Sequence, residues 1–151
     1  MKIQDFTIII DSREQRPFTF QNIKPDPPET VIQGLSTGDY SVIGLENNVC
    51  VERKSMADLF GSVGKGRARF EREMQRLSAF DYAAIVVESD IQKWFMNPPV
   101  RSKMNPKSVF RTVIAWSQRY NVHIWPMWDR QAAEKITYLI LKRFYDDLIK
   151  K

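Results

Sequence analysis

Gly38-Asp39-Tyr40 and Val51-Glu52-Arg53-Lys54 are the two segments that decide the fold of this chain. The residues around Val51 are β-branched or otherwise favourable in strands, so a strand is predicted to run through Lys54. Because successive side chains of a strand point to opposite faces, Glu52 and Lys54 share one face and Arg53 lies on the other. An acid and a base therefore lie on one surface of the predicted sheet.

These residue types suit metal-dependent hydrolysis of a phosphodiester. The carboxylates of Asp39 and Glu52 are ligands for a hard divalent cation and leave positions open for water and a phosphate oxygen. Lys54 can orient that water or neutralise charge in the transition state. The alternative is structural, because an Asp after Gly is commonly a turn residue and a Glu-Arg-Lys run is commonly a solvated charge run.

Taken together, the two segments resemble the signature of the XPF-type structure-specific endonuclease family. That signature is a Gly-Asp pair, a variable spacer, then Glu-Arg-Lys, three residues and Asp. The matching residues here are Gly38, Asp39, Glu52, Arg53, Lys54 and Asp58. The resemblance implies a restriction-endonuclease-like nuclease whose acid and Glu-x-Lys arrangement binds magnesium (Mg²⁺) or manganese (Mn²⁺). Asp58 also has a structural interpretation, since Ser55 and Asp58 have the spacing of a helix capping box.

Two further segments extend the resemblance. The predicted strand from Thr7 to Ile10 runs into Asp11-Ser12-Arg13-Glu14, similar to the family's Asp-x-Arg-Glu, which implies that Asp11 and Glu14 are additional carboxylates of the site. Gly66-Arg67 is similar to a Gly-Arg segment that begins a helix in the family, although many members have Gln where this chain has Glu71.

The predicted site follows from the residues and the resemblance together. The metal ligands are predicted to be Asp11, Asp39 and Glu52. The catalytic set is predicted to be Asp39, Glu52, Lys54, Asp11 and Glu14, and the DNA-contacting cations to be Arg13, Arg53, Lys65, Arg67 and Arg69.

Composition agrees with one intracellular enzyme domain spanning residues 1–151. The 23 Lys and Arg residues exceed the 18 Asp and Glu residues, giving a net charge of +5 that favours a polyanionic partner such as DNA. The single cysteine, Cys50, excludes an intrachain disulfide and a tetrahedral thiolate zinc site, and a reducing cytoplasm is the expected compartment. No signal peptide or membrane-spanning segment is predicted.

Periodicity predicts an α/β protein with three strands before the first helix. The apolar run from Tyr82 to Val87 is typical of a strand buried on both faces in a parallel part of the sheet. Asn105-Pro106 and Asp129 are predicted to begin the last two helices. With the family resemblance, the expected fold is a restriction-endonuclease-like three-layer α/β/α sandwich with a mixed central sheet.

The expected activity is endonucleolytic cleavage of branched, flapped or single-stranded DNA in repair, recombination or replication. A homodimer is expected, because family members commonly dimerise and the final helix has a broad apolar stripe near Trp125 and Trp128. The alternative is that this stripe packs in the core. Its residues are Ala133, Ile136, Ile140, Phe144 and Leu148, widened by Leu141 and Tyr145. A partner protein that supplies structure selectivity is also possible under the resemblance. Two alternatives stay open, namely a catalytically silent DNA-binding or scaffolding subunit and a nuclease that acts on RNA.

Overall fold

The computed structural model describes residues 5–150. They form a six-stranded mixed sheet with a helical layer on each face. The strand order is β2-β1-β3-β4-β5-β6. Strands β1 and β2 are parallel, β3 is antiparallel to both β1 and β4, and β4, β5 and β6 are parallel. The strands are β1 Thr7–Asp11, β2 Glu29–Gln33, β3 Tyr40–Val42, β4 Val49–Lys54, β5 Tyr82–Val87 and β6 His123–Pro126.

Helices cover both faces of the sheet. They are α1 Met56–Val63, α2 Arg67–Leu77, α3 Ile91–Met96, α4 Pro106–Tyr120 and α5 Arg130–Ile149. Helices α1 to α4 pack on the face that contains Cys50, whereas α5 packs on the face that contains Val49 and Val51. The predicted α/β/α sandwich with a mixed sheet is therefore confirmed. None of the helices within residues 5–150 has both the length and the apolarity that crossing a bilayer requires.

The alternation along β4 positions the motif residues as the sequence predicts. Cys50 belongs to the core beneath α1 and α2, so Glu52 and Lys54, at the same parity, project towards those helices. Arg53 projects towards α5, where its guanidinium pairs with Glu88 beside Arg130 at the start of that helix. The prediction that Glu52 and Lys54 share a face is confirmed.

The predicted helix starts are also confirmed. Ser55, Asn105 and Asp129 each accept a hydrogen bond from a backbone N–H of the first turn, which satisfies a donor that the helix cannot pair. In the first case the donor is the N–H of Asp58. This supports the structural interpretation of Asp58, whose side chain is exposed.

Two predictions about the elements were wrong. Four strands, not three, precede the first helix; β2 is an edge strand, and its side chains, Ile32 among them, are mostly exposed or half-buried. The buried stripe of α5 is rotated from the predicted one, since Thr137 is fully buried and Tyr145 is only 8 % exposed. Tyr145 is therefore a core residue and not part of an exposed apolar surface.

Candidate functional site

The turn before β3 fixes Asp39 by its backbone. Gly38 has a φ of 81°, and a Cβ atom there would lie 3.1 Å from the Cβ of Cys50, so glycine is required for both conformation and space. The N–H of Asp39 donates to the carbonyl of Val51 at 2.9 Å, and its carbonyl accepts from the N–H of Asp11 at 2.8 Å. Asp39 is thus held between β1 and β4, two strands that do not themselves pair.

The Asp39 side chain is attached to the second motif. Its Oδ2 accepts a hydrogen bond of 2.8 Å from the backbone N–H of Arg53, the residue between Glu52 and Lys54. Asp39 also shares a side-chain hydrogen bond with Glu52, and two carboxylates can do this only if they share a proton. The Gly-Asp and Glu-Arg-Lys segments therefore form one structural unit.

A third carboxylate, Glu73 of α2, completes an acidic cluster. Burial raises the pKa of Glu52 well above its ordinary value, and hydrogen bonds to Glu73 and Asp39 raise it further. Burial also raises the pKa of Asp39, although its hydrogen bonds to Glu52 and the Arg53 backbone oppose this shift. One oxygen of Glu73, Oε1, is buried without a hydrogen-bond partner among the described residues. The cluster favours binding a positive charge, whether a proton or a cation.

This cluster opens into a cleft of about 270 Å³. Three of the predicted metal and catalytic residues, Asp11, Asp39 and Glu52, line it, whereas Glu14 does not. Its full lining is Asp11, Arg13, Ser36, Thr37, Gly38, Asp39, Glu52, Glu73 and Arg76. We refer to it as the carboxylate cleft.

Lys54 lies in a neighbouring cleft of about 430 Å³ and not in the carboxylate cleft itself. Its Nζ donates to Oγ of Ser62 at 3.1 Å and lies 4.8 Å from the centre of the Phe70 ring. It forms no ion pair within the part of the chain that the structure describes, and Glu73 lines both clefts. Glu73 is therefore common to the space that contains Lys54 and the space that contains the Asp39 and Glu52 pair. We refer to this second space as the lysine cleft.

The three predicted metal ligands, Asp11, Asp39 and Glu52, line one cleft, but Asp11 has hydrogen-bond partners of its own. Asp11 is 5 % exposed, and its oxygens accept hydrogen bonds from the N–H of Leu35 at 2.8 Å and from Nε of Arg13 at 3.2 Å. Within residues 5–150 no group of three or more His, Cys, Asp or Glu side chains is arranged to hold a metal ion. Asp11 thus holds the loop that leads into Gly38, and its role as a metal ligand stays a prediction. Asp39 and Glu52 fit a divalent cation by donor chemistry.

Glu14 and Arg53, predicted to act in catalysis and in DNA contact, form a buried ion pair. Arg53 donates two hydrogen bonds to Glu14, at 2.8 and 3.0 Å, and one of 3.1 Å to Glu88, which also pairs with Arg130. Burial is the largest single influence on Glu14 and opposes its ionisation. The hydrogen bond from Arg53, the backbone N–H donors of Arg16 and Gln15 and the charge of Arg53 together outweigh burial, so the pKa of Glu14 is lowered. The pKa of Arg53 is raised, first by its hydrogen bond to Glu14. This arrangement joins β1, β4, β5 and α5 and favours a structural role for both residues.

The other predicted DNA-contacting cations are dispersed. Arg13 is 71 % exposed at the carboxylate cleft, and Arg69 lines the lysine cleft. The guanidinium of Arg67 lies 4.9 Å from the Trp116 ring centre, while Lys65 is exposed beside it in sequence. Arg76 and Glu73 of α2 were not among the predicted site residues, but both line the carboxylate cleft. Their sequence signal is only that they are charged residues beside the apolar face of α2, which Phe70, Met74 and Leu77 form.

Comparison with known proteins agrees with this geometry. The family model described as the ERCC4 domain matches residues 10–140. No curated protein matches the sequence. The structure is similar to XPF from Aeropyrum pernix, with a TM-score of 0.71 and 20 % identity over 90 % of this chain and 60 % of that chain.

It is also similar to XPF from Aeropyrum pernix in complex with DNA, with a TM-score of 0.68 and 20 % identity over 94 % of this chain and 66 % of that chain. This chain thus spans about three fifths to two thirds of those structures. The likeness confirms the restriction-endonuclease-like fold of XPF nuclease domains. Because the family match extends from β1 into α5, the chain belongs to the ERCC4 domain family, the XPF-type nucleases that its motifs resemble.

Proposed function

We propose that this chain is a divalent-metal-dependent endonuclease that hydrolyses DNA at branched, flapped or single-stranded sites. The observation that supports it most is the half-buried pair of Asp39 and Glu52, whose pKa values are both raised, beside the cleft that contains Lys54. Acids with perturbed pKa values in a cleft are typical of functional sites. The family match and the likeness to a DNA-bound XPF structure support the same conclusion.

Each residue has a distinct part in the proposed mechanism. Asp39 and Glu52, with Asp11 on the same cleft, would hold Mg²⁺ or Mn²⁺, which would supply Lewis acidity and a more acidic water. Lys54, which has no ion-pair partner among the described residues, donates hydrogen bonds to the attacking water or to the phosphate oxygen that gains charge. Glu73 holds Glu52 in position and lines both clefts, so it also affects protonation of the cluster. Arg13 and Arg76 offer positive charge to the flanking phosphates.

A homodimer is part of the same proposal, and its surface shares Trp125 with the one that the sequence indicates but contains no residue of α5. An apolar groove of about 490 Å³ lies between α3, α4 and the edge strand β6. Ile114 and Trp125, which line it, are 41 % and 39 % exposed. Exposed apolar grooves at a sheet edge are typical of association surfaces.

A substrate panel tests the activity. Purified protein is incubated with labelled duplex, single-stranded, flap, fork and four-way DNA, and with an RNA copy of each, in magnesium, manganese or chelator. We expect cleavage of the non-duplex DNA substrates that depends on the added cation. Binding without cleavage under every condition would support a silent DNA-binding subunit instead, and preferential cleavage of RNA would support an RNA-directed nuclease.

A further inference from the structure

A third cleft lies beyond the lysine cleft, between the end of α1 and the loop that precedes α4. Its volume is about 700 Å³, within the range of about 300–1,000 Å³ that is common for ligand pockets. Phe60, Val63, Pro99 and Met104 are among its lining residues. Phe60 and Val63 are buried, so Pro99 and Met104 present most of the apolar side-chain surface. We refer to it as the apolar cleft.

The loop that forms one wall is packed against α1. A Cβ atom on Gly64, the residue that ends α1, would lie 3.1 Å from Cγ and 3.3 Å from Sδ of Met104. The side chain of Met104 therefore lies close to Gly64, and it packs against the core beneath α1. Packing within the protein thus holds this part of the wall.

The charge around the apolar cleft has one sign. Lys65, Arg67, Arg101 and Lys103 line it, and no Asp or Glu is among its lining residues. Lys65, Arg101 and Lys103 are exposed and form no ion pair within residues 5–150. The guanidinium of Arg67 instead lies over the ring of Trp116. An apolar centre surrounded by cations is complementary to a ligand that combines a flat apolar group with negative charge, as a nucleotide does.

The three clefts are adjacent and share lining residues. Ala57 and Gly61 line both the apolar cleft and the lysine cleft, and Glu73 lines both the lysine cleft and the carboxylate cleft. A single nucleic-acid strand can therefore extend from the carboxylate pair past Lys54 to the apolar cleft. A base in duplex DNA is stacked and paired and cannot enter such a cleft unless it is extruded.

We propose that the apolar cleft binds an unpaired nucleotide of the DNA strand whose phosphodiester lies at the carboxylate cleft. The base packs against Met104 and Pro99, while Lys65, Arg101 and Lys103 contact its phosphates. The inference rests on the proposed function and adds a substrate requirement to it. DNA with unpaired nucleotides next to the scissile bond is favoured because a paired nucleotide cannot occupy the cleft.

Binding measurements in chelator test this inference apart from cleavage. Fluorescence anisotropy compares single-stranded DNA with a blunt duplex of the same sequence, for the wild type and for Met104→Glu, which places a carboxylate in the apolar cleft. We expect single-strand affinity to fall about tenfold or more, as is common when one stacked base is lost, and duplex affinity to change much less. Met104→Leu keeps the apolar surface and should bind like the wild type.

A second variant tests the same site without changing the half-buried Met104, in case Met104→Glu does not fold. The double variant Arg101→Glu with Lys103→Glu changes only exposed side chains, and Lys135→Glu with Arg143→Glu on α5 is its charge-matched control on the other face of the sheet. The Arg101 and Lys103 variant should lose single-strand preference, and the α5 variant should retain it. Thermal unfolding verifies that each protein is folded.

The outcomes separate this inference from the proposed function. Equal losses of single-strand and duplex affinity, or no loss in either variant, would overturn the apolar cleft as a nucleotide site even if the wild type cleaves DNA. A selective loss of single-strand binding would support the site even if no cation yields cleavage. Absence of any DNA binding by the wild type would overturn both.

Discussion

The Asp39 carboxylate accepts a hydrogen bond of 2.8 Å from the backbone N–H of Arg53. This bond explains why the Gly-Asp and Glu-Arg-Lys segments occur together, because it orients Asp39 towards Glu52. It uses the backbone of Arg53, so the Arg53 side chain is free to project to the opposite face, where it pairs with Glu14 and Glu88. The two faces of β4 thus have separate roles, one at the clefts and one in stability.

The first prediction concerns the pH dependence of stability. The pKa of Glu52 in the folded protein is raised well above its ordinary value of 4.5. The folded protein therefore binds the proton of Glu52 more tightly than the unfolded chain does. This stabilises the fold fully below about pH 4.5, and the contribution is lost as pH rises through the raised pKa. In chelator, the free energy of unfolding of the wild type should therefore fall from mildly acidic to neutral pH. Glu52→Gln should remove much of that fall, leaving the part due to Asp39.

Urea unfolding across this pH range measures the effect, and Glu29→Gln, at an exposed position on β2, is the control. Magnesium should stabilise the wild type at neutral pH more than Glu52→Gln, because a bound cation stabilises the charged carboxylates. A pH profile of Glu52→Gln identical to that of the wild type would show that Glu52 does not hold the proton.

The second prediction concerns Glu73, which the sequence did not identify. Its hydrogen bond is, after burial, the largest cause of the raised pKa of Glu52. In Glu73→Gln the amide can donate to ionised Glu52, so the pKa of Glu52 should fall and the acidic limb of the pH-rate profile should move to lower pH. Glu71→Gln is the matched control, because Glu71 lies on the same helix but contacts Tyr120 and Arg119. An unmoved limb would assign Glu73 a packing role only.

The third prediction separates the structural Arg53 from the cations of the clefts. Arg53 and Glu14 are 10 % and 5 % exposed, so Arg53→Met leaves a buried carboxylate without its partner. Such a loss costs about 3–5 kcal/mol in the free energy of unfolding. Arg143→Met breaks a pair whose members are 73 % and 59 % exposed and should cost at most about 1 kcal/mol. Denaturant unfolding measures both, and equal stabilities would contradict the structural role.

The fourth prediction concerns assembly. Ile114→Glu places a charge in the groove between α4 and β6, so it should shift a homodimer towards monomer without unfolding the protein. Ile32→Glu is the matched control, because Ile32 is 69 % exposed on β2 at the opposite edge of the sheet. Light scattering at tens of micromolar, an order-of-magnitude choice suited to weak association, measures the change. A monomeric wild type would refute the dimer, and dissociation by Ile32→Glu alone would assign it to the other edge.

Local patterns predicted the parts of the site that local geometry controls. The two-residue period of β4 placed Glu52 and Lys54 on one face, and Ser55 capped α1 as its spacing indicates. The features that the sequence did not predict depend on tertiary contacts. The buried side of α5 contains two polar residues, Thr137 and Glu134. The Thr137 hydroxyl donates a hydrogen bond to the carbonyl of Ala133 in the same helix, and Glu134 accepts one from the N–H of Phe20. No periodicity within α5 encodes a partner 114 residues away.

The surroundings of the acidic side chains at the site also depend on tertiary contacts that the sequence pattern does not show. Asp11 and Glu14 match the family pattern in sequence, but Asp11 binds the N–H of Leu35 and Glu14 binds Arg53. Glu73 has no motif signal and joins the cluster because α2 packs over the sheet beside β4. Which carboxylate is available to a cation therefore depends on the pairing of each acid in the fold, which residue type and spacing alone do not specify.

Single-turnover cleavage of a branched DNA in magnesium, by the wild type, Glu52→Gln and Lys54→Ala, tests the central claim most directly. Lys54→Ala should cut roughly 10²-fold or more slowly than the wild type while binding DNA with similar affinity, since Lys54 acts on the reacting groups. Glu52→Gln should require more magnesium, because it loses a charged ligand. If both variants cut the DNA at the wild-type rate, the assignment of the site on β4 is wrong.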